Sequence, residues 1–456
     1  MGAACGHCRD MKKSIRHLAT EILVQVEKTH SFAGQLLDEQ MELSRLSGTA
    51  DGRLLTHIVY GVLRFRGRLD WVLTKLYHGN WSTLEETTKN VLRVGLFQLQ
   101  FSDRLPAFAV VNEAVNVAGK VRPGHSGLVN AVLRSYLRQE KRITPLPAAG
   151  HQARYIAVFH SHPLWLVKKF METFGAEKAQ DLCAANNEIP PLTLRVNTLK
   201  VSRNHLQEKL AAQGMPSVPT KFSPDGLILE NNFEPLQKTG FFHEGYFRFQ
   251  DEAAQLISFL VNPQNSQSVL DICAGTGGKT THLAAITKDS GRITAADRDE
   301  KKLKQLQKDA LRLGIKKIQT LAADFSKNLP DGLHQGFDCV LVDASCSGSG
   351  TLRRNPEIKW RTGAADLRYL VRQQKLILNS ASGAVRAKGR LIYCTCSLMP
   401  EENEEVVNSF LSANDNFYLT PPTGIIQQFV DSKGYFHTYP HLHRMDGFFA
   451  AILQRK

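Results

Sequence analysis

The sequence predicts a multidomain chain: an all-helical N-terminal part, a small α+β middle part and a doubly wound α/β C-terminal part. Three observations predict it. The chain has 456 residues, too many for one ordinary domain. Up to about residue 145 the apolar residues recur at helical spacing. From about residue 266 strand and helix patterns alternate regularly, which implies a parallel sheet with helices on both faces.

In the first part, residues 13–145, five stretches carry the helical period: 14–28, 53–76, 90–101, 107–120 and 126–139. Arg64, Arg66 and Arg68 form one basic cluster, and Arg134 and Arg138, four apart, share a helix face. Both are candidates for contact with RNA. TPLPAAGHQ, residues 144–152, reads as a linker. The middle part, residues 146–250, holds two helical stretches at 161–175 and 178–187, a strand in PLTLRVNTLK, a helix in NHLQEKLAAQGM, and strand signals in GLILE and GYFRF. The last part, residues 251–456, opens with SVLDICAG, a strand running into a glycine-rich turn. Then come helix GKTTHLAAIT, strand GRITAADRD, helix EKKLKQLQKDALRLG, strand IQTLAADF, strand FDCVLVDAS, helix RYLVRQQKLILNSASGAV and strand RLIYCTCS.

Bulk composition narrows the function. Hydrophobic residues make up 42% and charged residues 22%. No apolar run nears the roughly 20 residues that span a bilayer, and the first residues lack a signal-peptide core. A cytoplasmic protein with no membrane partner is expected. Eight cysteines without a regular framework fit reduced thiols. Cys5-Gly6-His7-Cys8 is a lone CxxC without the second pair a zinc site needs, so residues 1–12 are expected to be a disordered tail and no metal is expected. The net charge of +14 points to a polyanionic partner, nucleic acid above all.

Gly275, Gly277 and Gly278, in DICAGTGGKT, allow a tight turn and close backbone approach to a ligand. The stretch is neither a Walker loop, since Cys273 stands where the first glycine would, nor GxGxxG, since Thr280 stands at the last. Asp271, Asp297, Asp324 and Asp343 fall at the ends of four successive strands, and Asp297 lies about 20 residues past the glycines, where an acid grips ribose hydroxyls. Acids converging on one crevice without a phosphate-gripping loop fit S-adenosylmethionine better than NAD or ATP.

Cys346, in DASCSGSGT, and Cys396, in TCS, follow neighbouring strands and face the same crevice. The chemistry such thiols permit is specific. Carbon 5 of cytosine is a poor nucleophile until a thiolate adds to carbon 6. Asp343 beside the ring can hydrogen-bond nitrogen 3 and the amino group. Directly after Cys346 comes RRNPEIKWR, whose Arg353, Arg354, Lys359, Trp360 and Arg361 suit phosphate contact and base stacking.

On these motifs the chain resembles the RsmB-type branch of the RsmB/NOP RNA 5-methylcytosine methyltransferases, over nearly its whole length. The resemblance implies a helical RNA-binding domain like that of the antitermination protein NusB, a small α+β domain, and a Rossmann-like S-adenosylmethionine-dependent methyltransferase domain. It implies that Cys273, Ala274, Gly275, Thr276, Gly277, Gly278 and Lys279 form the methyl-donor loop, with Asp297, Asp324 and Asp343 as further cofactor contacts. It implies that Cys396 is the nucleophile and that Cys346 assists release of the product; Cys394 is expected to be structural. The implied substrate is a cytosine of 16S ribosomal RNA, unassembled or partly assembled, and the enzyme a monomer. Two positions depart from the pattern: the donor loop usually reads CAAPGGK and the second motif DAPCS, whereas Thr276 and Ser345 replace the prolines here. Loss of proline puts loop rigidity in question, not the reacting groups.

Three other readings fit less well. A DNA cytosine methyltransferase takes its nucleophile from the Pro-Cys motif, absent here. An amino-methylating enzyme carries an Asn/Asp-Pro-Pro-aromatic motif, which Asp-Ala-Ser-Cys is not. A non-catalytic RNA-binding or ribosome-assembly protein has no need of both cysteines.

Overall fold

A computed structural model describes residues 13–102, 104–143, 151–230 and 236–456. The expected tail 1–12, with Cys5 and Cys8, and most of the expected linker lie outside the described residues. The chain divides into two compact units, residues 1–171 with 355–357, and residues 172–354 with 358–456.

Six long helices build the first unit: α1 Ile15–Thr29, α2 Ala33–Leu43, α3 Ala50–Leu76, α4 Glu86–Phe101, α5 Ala107–Val121 and α6 Ser126–Gln139. Ser14 and Thr49 start α1 and α3 by accepting from the backbone N–H groups of His17 and Gly52. The sequence pattern assigns no element to α2, because only Ala33, Leu36 and Leu37 of it are buried. Most of α4 is enclosed. Its Arg93, 2% exposed, bonds both oxygens of Asp70 at 2.6 and 2.9 Å and Glu27 at 2.9 Å.

That network corrects one expectation. Arg66 is drawn into it, 3.0 Å from Glu27, Arg64 is buried, and Arg68 lies over the rings of Phe101 and Phe159. The 64–68 cluster therefore packs the helices together. Arg134 and Arg138 on α6 are exposed.

In the second unit a small antiparallel sheet comes first: β1 Leu192–Val196, β2 Ser217–Pro219, β3 Gly226–Leu229 and β4 Phe247–Phe249, in the order β2-β3-β1-β4. The large sheet holds β5 Ser268–Ile272, β6 Arg292–Asp297, β7 Ile318–Ala322, β8 Phe337–Asp343, β9 Val385–Thr395, β10 Phe417–Thr420, β11 Phe436–Thr438 and β12 Phe448–Arg455. Five strands run parallel in the order β9-β8-β5-β6-β7. β5 is buried at every position, as a central strand covered on both faces should be.

The sheet is mixed, not purely parallel. β12 lies antiparallel against β9, and β10 and β11 pair antiparallel with β12. These strands fall beyond residue 415, where just two short helical turns, Gly424–Phe429 and Pro440–His443, stand between them, too short to show a helical period, so the alternation rule gives no signal. Among the described residues no helix is long and apolar enough to cross a membrane.

Candidate active site

The parallel strands bring the motif residues to one end of the sheet. After β5 the chain turns sharply: Cys273, Gly275 and Gly277 all have positive φ, 61°, 56° and 81°. Gly277 is obligatory, because a Cβ there would sit 2.4 Å from Cγ of Leu306. The next helix, Gly278–Ile286, begins at once, so Ala274 to Lys279 form a loop running into a helix N-terminus. Asp297, the last residue of β6, accepts from the Gly275 N–H at 2.8 Å and from the Asp299 N–H at 2.9 Å. Asp324, two residues past β7, turns onto Ser326, accepting from its N–H at 3.0 Å and its hydroxyl at 2.6 Å. The Ser326 hydroxyl in particular holds the Asp324 carboxyl below its ordinary range. Cys273, Asp297, Asp324, Phe325, Ser345 and Tyr369 line one cleft.

Asp271 differs from the other acids. It lies inside β5, fully buried, accepting from the Thr280 hydroxyl at 2.6 Å. Among the described residues its other oxygen has no hydrogen-bond partner. Burial raises its pKa to about 7. It braces the loop from beneath.

Beside this cleft the turns after β8 and β9 carry Cys346 and Cys396. The sulfurs of Cys346 and Cys396 are 3.3 Å apart. Lys279, 8% exposed, reaches across to Asp343 at 2.7 Å. Burial would strip its proton, but the carboxylate and neighbouring thiols more than offset this and its pKa is raised. The other oxygen of Asp343 accepts from Cys394 at 3.5 Å. Cys394 is completely buried, and burial pushes its thiol well up, as suits a packing residue. Burial pushes the Cys273 thiol up to about 12, so Cys273 contributes shape to the cleft rather than a reacting sulfur.

The second departure from the expected roles concerns the basic segment after Cys346. Arg353 is 3% exposed and pairs with Asp446 at 2.9 Å and Asp251 at 3.3 Å. Arg354 pairs with the same two acids at 2.9 and 2.5 Å. Burial alone would raise both acids; Asp251 is nevertheless held low by the two guanidiniums, whereas Asp446, facing Asp251, stays high. Lys359, 1% exposed, donates to Asn187 at 3.1 Å. These three cations fold the segment onto its own unit instead of presenting it to phosphate. Trp360 and Arg361 are half-buried.

Three supports escaped the sequence reading. Arg248 of β4 donates to the carbonyl and hydroxyl oxygens of Thr276 at 2.9 and 3.0 Å and pairs with Asp309. The hydroxyl that replaces the usual proline is thus a tethering point. Arg195 of β1, wholly enclosed, donates to the Gly278 carbonyl at 2.5 Å, to Gln250 at 2.6 Å and to the Thr281 hydroxyl at 2.9 Å. Gln374 donates to the Ser345 carbonyl at 3.0 Å, at the other lost proline. Only the positive charge of Arg195 and Arg248 was visible in sequence, and it says nothing of what they hold.

Comparison with known proteins matches this layout. Residues 258–454 fit the family described as 16S rRNA methyltransferase RsmB/F, residues 13–138 the NusB family, and residues 162–234 the ferredoxin-like domain of RsmF/B-like methyltransferases. The chain is similar to a Synechocystis protein named "Probable ribosomal RNA small subunit methyltransferase B", 33% identical over 97% of this chain and 99% of that one. It is similar to the Escherichia coli O6:K15:H31 "Ribosomal RNA small subunit methyltransferase B", 34% identical over 98% and 99%. Among solved structures, PH0851 superimposes with a TM-score of 0.82 at 27% identity, covering 97% of this chain and 98% of that one. With relatives this similar end to end, the chain belongs to the RsmB/F family of 16S rRNA methyltransferases.

Proposed function

We propose that the protein transfers a methyl group from S-adenosylmethionine to carbon 5 of a cytosine in small-subunit (16S) ribosomal RNA, through a covalent bond between Cys396 and carbon 6. The observation that carries this reading is the thiol pair, Cys346 and Cys396 at 3.3 Å, set beside the Lys279–Asp343 ion pair. Methylation at an amino nitrogen has no use for two thiols.

The cleft suits S-adenosylmethionine. Gly277, which admits no side chain because Leu306 packs against it, keeps the neighbouring loop tight, two acids of the cleft offer acceptors for ribose hydroxyls and an amino group, and Phe325 and Tyr369 supply apolar surface for a base. When bound, the cofactor supplies an electrophilic methyl group on a sulfonium sulfur. Ala274 to Gly278 and Asp297 bind and orient it, with Asp324 at the far side of the cleft.

The thiolate of Cys396 adds to carbon 6, which makes carbon 5 electron-rich. Lys279 is close enough to stabilise that thiolate and holds Asp343 in place. Asp343 accepts from the cytosine amino group, and from nitrogen 3 once that nitrogen is protonated as the thiolate adds. After methylation carbon 5 gives up its proton to a base, the carbon–sulfur bond breaks, and the electrons return to Cys396. Cys346 assists that release. The target base must be unstacked to reach the thiol. The helical unit binds RNA, and its exposed Arg134 and Arg138 are the cations we assign to phosphate.

The test is methyl transfer from tritiated cofactor to unmodified small-subunit RNA, with the position mapped. Cys396→Ala should abolish transfer and keep cofactor affinity; Cys346→Ala should accumulate an RNA–protein adduct on denaturing gels. Full activity in Cys396→Ala, or label on any atom but carbon 5, would overturn the reading.

A further inference from the structure

Glu402 is as enclosed as Asp271 and has no role in the chemistry above. It is completely buried, in the turn after the Cys396 loop. It accepts from the Ser347 N–H at 2.8 Å, the Ser347 hydroxyl at 2.5 Å, the Gln374 amide at 3.0 Å and the Ser397 hydroxyl. No cation forms an ion pair with it among the described residues. A buried carboxylate is costly unless hydrogen bonds saturate it, and here four donors do.

Those donors are informative. Ser347 follows Cys346 and Ser397 follows Cys396, so one carboxylate grips both cysteine loops one residue past each sulfur. The seryl oxygens also approach each other: Ser347 and Ser397 at 3.2 Å, Ser349 and Ser397 at 3.1 Å. Asn403, next to Glu402, donates to the Ser397 carbonyl at 2.9 Å and accepts from the Thr395 hydroxyl at 2.6 Å. The clamp is charged on one side only. Cys346 faces Cys396, Glu402 and the neutral Tyr393, whereas Cys396 faces the Lys279 ammonium, with Asp343 beyond it.

We propose that Glu402 is a positioning residue: it fixes the Cys346 and Cys396 loops at working distance and keeps the Cys346 thiol protonated. The role assigned to each sulfur rests on the proposed function; the clamp and the charge asymmetry do not. The hydrogen bond to Cys396, burial and the Glu402 charge all act to raise the Cys346 thiol, in that order.

Glu402→Gln is isosteric. Its carbonyl can still accept from the Ser347 N–H and Gln374, and the rotatable seryl hydroxyls can accept from its amide. Charge is therefore removed with little change of shape. The experiment is site-resolved alkylation of the full chain by iodoacetamide from pH 6 to pH 10, read by mass spectrometry, in the wild type, Glu402→Gln and Glu402→Asp. The wild type should alkylate faster at Cys396 than at Cys346. In Glu402→Gln the Cys346 midpoint should fall by about one pH unit, which narrows the preference about tenfold; Glu402→Asp should restore part of it. In the same preparations Glu402→Gln should lose about tenfold or more in kcat, with cofactor Kd within about twofold. Should Glu402→Gln fail to fold, the wild type carries the test: Cys396 must alkylate faster than Cys346 across the pH range, and the reverse order overturns the proposal.

An unchanged alkylation ratio in Glu402→Gln would overturn the proposal. So would equal loss in Glu402→Gln and Glu402→Asp with a matching loss of cofactor affinity. Because alkylation needs no RNA, an unchanged ratio together with carbon-5 methylation sinks the clamp alone. A shifted ratio with methyl on another atom sinks the carbon-5 reading alone.

Discussion

Arg248 offers a quantitative test of how the cofactor loop keeps its shape without the usual proline. Its guanidinium makes two hydrogen bonds to Thr276, to the carbonyl at 2.9 Å and to the hydroxyl at 3.0 Å. A hydrogen bond from a charged donor contributes about 1.5–3 kcal/mol when buried. Thr276 is exposed, so about 1 kcal/mol each is the better figure, about 2 kcal/mol in all. If the untethered loop samples other conformations, cofactor affinity falls by the fraction of competent loop. The upper limit for Arg248→Ala is then about 30-fold, at about 1.4 kcal/mol per tenfold. Thr276→Val keeps the carbonyl acceptor and should cost about fivefold. Thr276→Pro removes the hydroxyl and stiffens the chain by its ring. In that background Arg248→Ala should cost less than about fivefold, a coupling of about 1 kcal/mol. Calorimetric titration with S-adenosylhomocysteine reads all four proteins. Arg248→Ala within twofold of wild type would refute the tether; an equal cost of Arg248→Ala in both backgrounds would refute the link to the missing proline.

Two further outcomes follow from the buried charges. The folded-state pKa of Asp271, about 7, lies above the unfolded value, so its contribution to stability is full below about pH 4 and is lost as pH rises to about 7. Thermal unfolding of Asp271→Asn compared with wild type should show a difference that grows by about 2–4 kcal/mol between those pH values, and a flat difference would count against the assignment. Asp446→Asn breaks the buried quartet with Asp251, Arg353 and Arg354 and should cost about 3–5 kcal/mol, a fall of about 10 °C in Tm. RNA affinity and its salt slope should stay at wild-type values there, whereas Arg134→Gln with Arg138→Gln should lower the slope by about 0.7–0.9 for each phosphate no longer neutralised and leave Tm unmoved.

The parts of the fold and site that were legible in sequence share a physical reason. Helices in the first unit announce themselves because each buries a stripe long enough to show its period, as α3 and α4 do; α2 does not, with three buried residues. The parallel strands were legible through their helices, and the antiparallel β10 to β12 were not, because the helical turns between them, six and four residues long, are too short to show a period. Asp297, Asp343, Cys346 and Cys396 stand out because a specific chemistry needs those groups at strand ends. Glu402, Gln374 and Arg248 stand out for nothing, since donating to a carbonyl or accepting from a serine is within reach of many residue types.

The positive charge is where composition told least. An excess of +14 invites every exposed-looking run of cations to be read as a phosphate contact. Yet Arg66, Arg93, Arg195, Arg248, Lys279, Arg353 and Arg354 all hold parts of the protein together. Their partners lie far off in the chain: Asp251 is 102 residues before Arg353 and Asp446 is 93 after it. No local pattern carries that information, because the pairing exists only once β4, the loop after β8 and the approach to β12 have met. Net charge is a sum over the chain and predicts the class of partner, which acts at long range. Which cation meets the partner depends on which acids the fold leaves elsewhere, and that is decided by topology. For this reason the search for RNA contacts moves away from the basic motif that follows Cys346, residues 353–361, and toward α6, where Arg134 and Arg138 are exposed and, among the described residues, Arg134 bonds the neutral Asn130 rather than an acid.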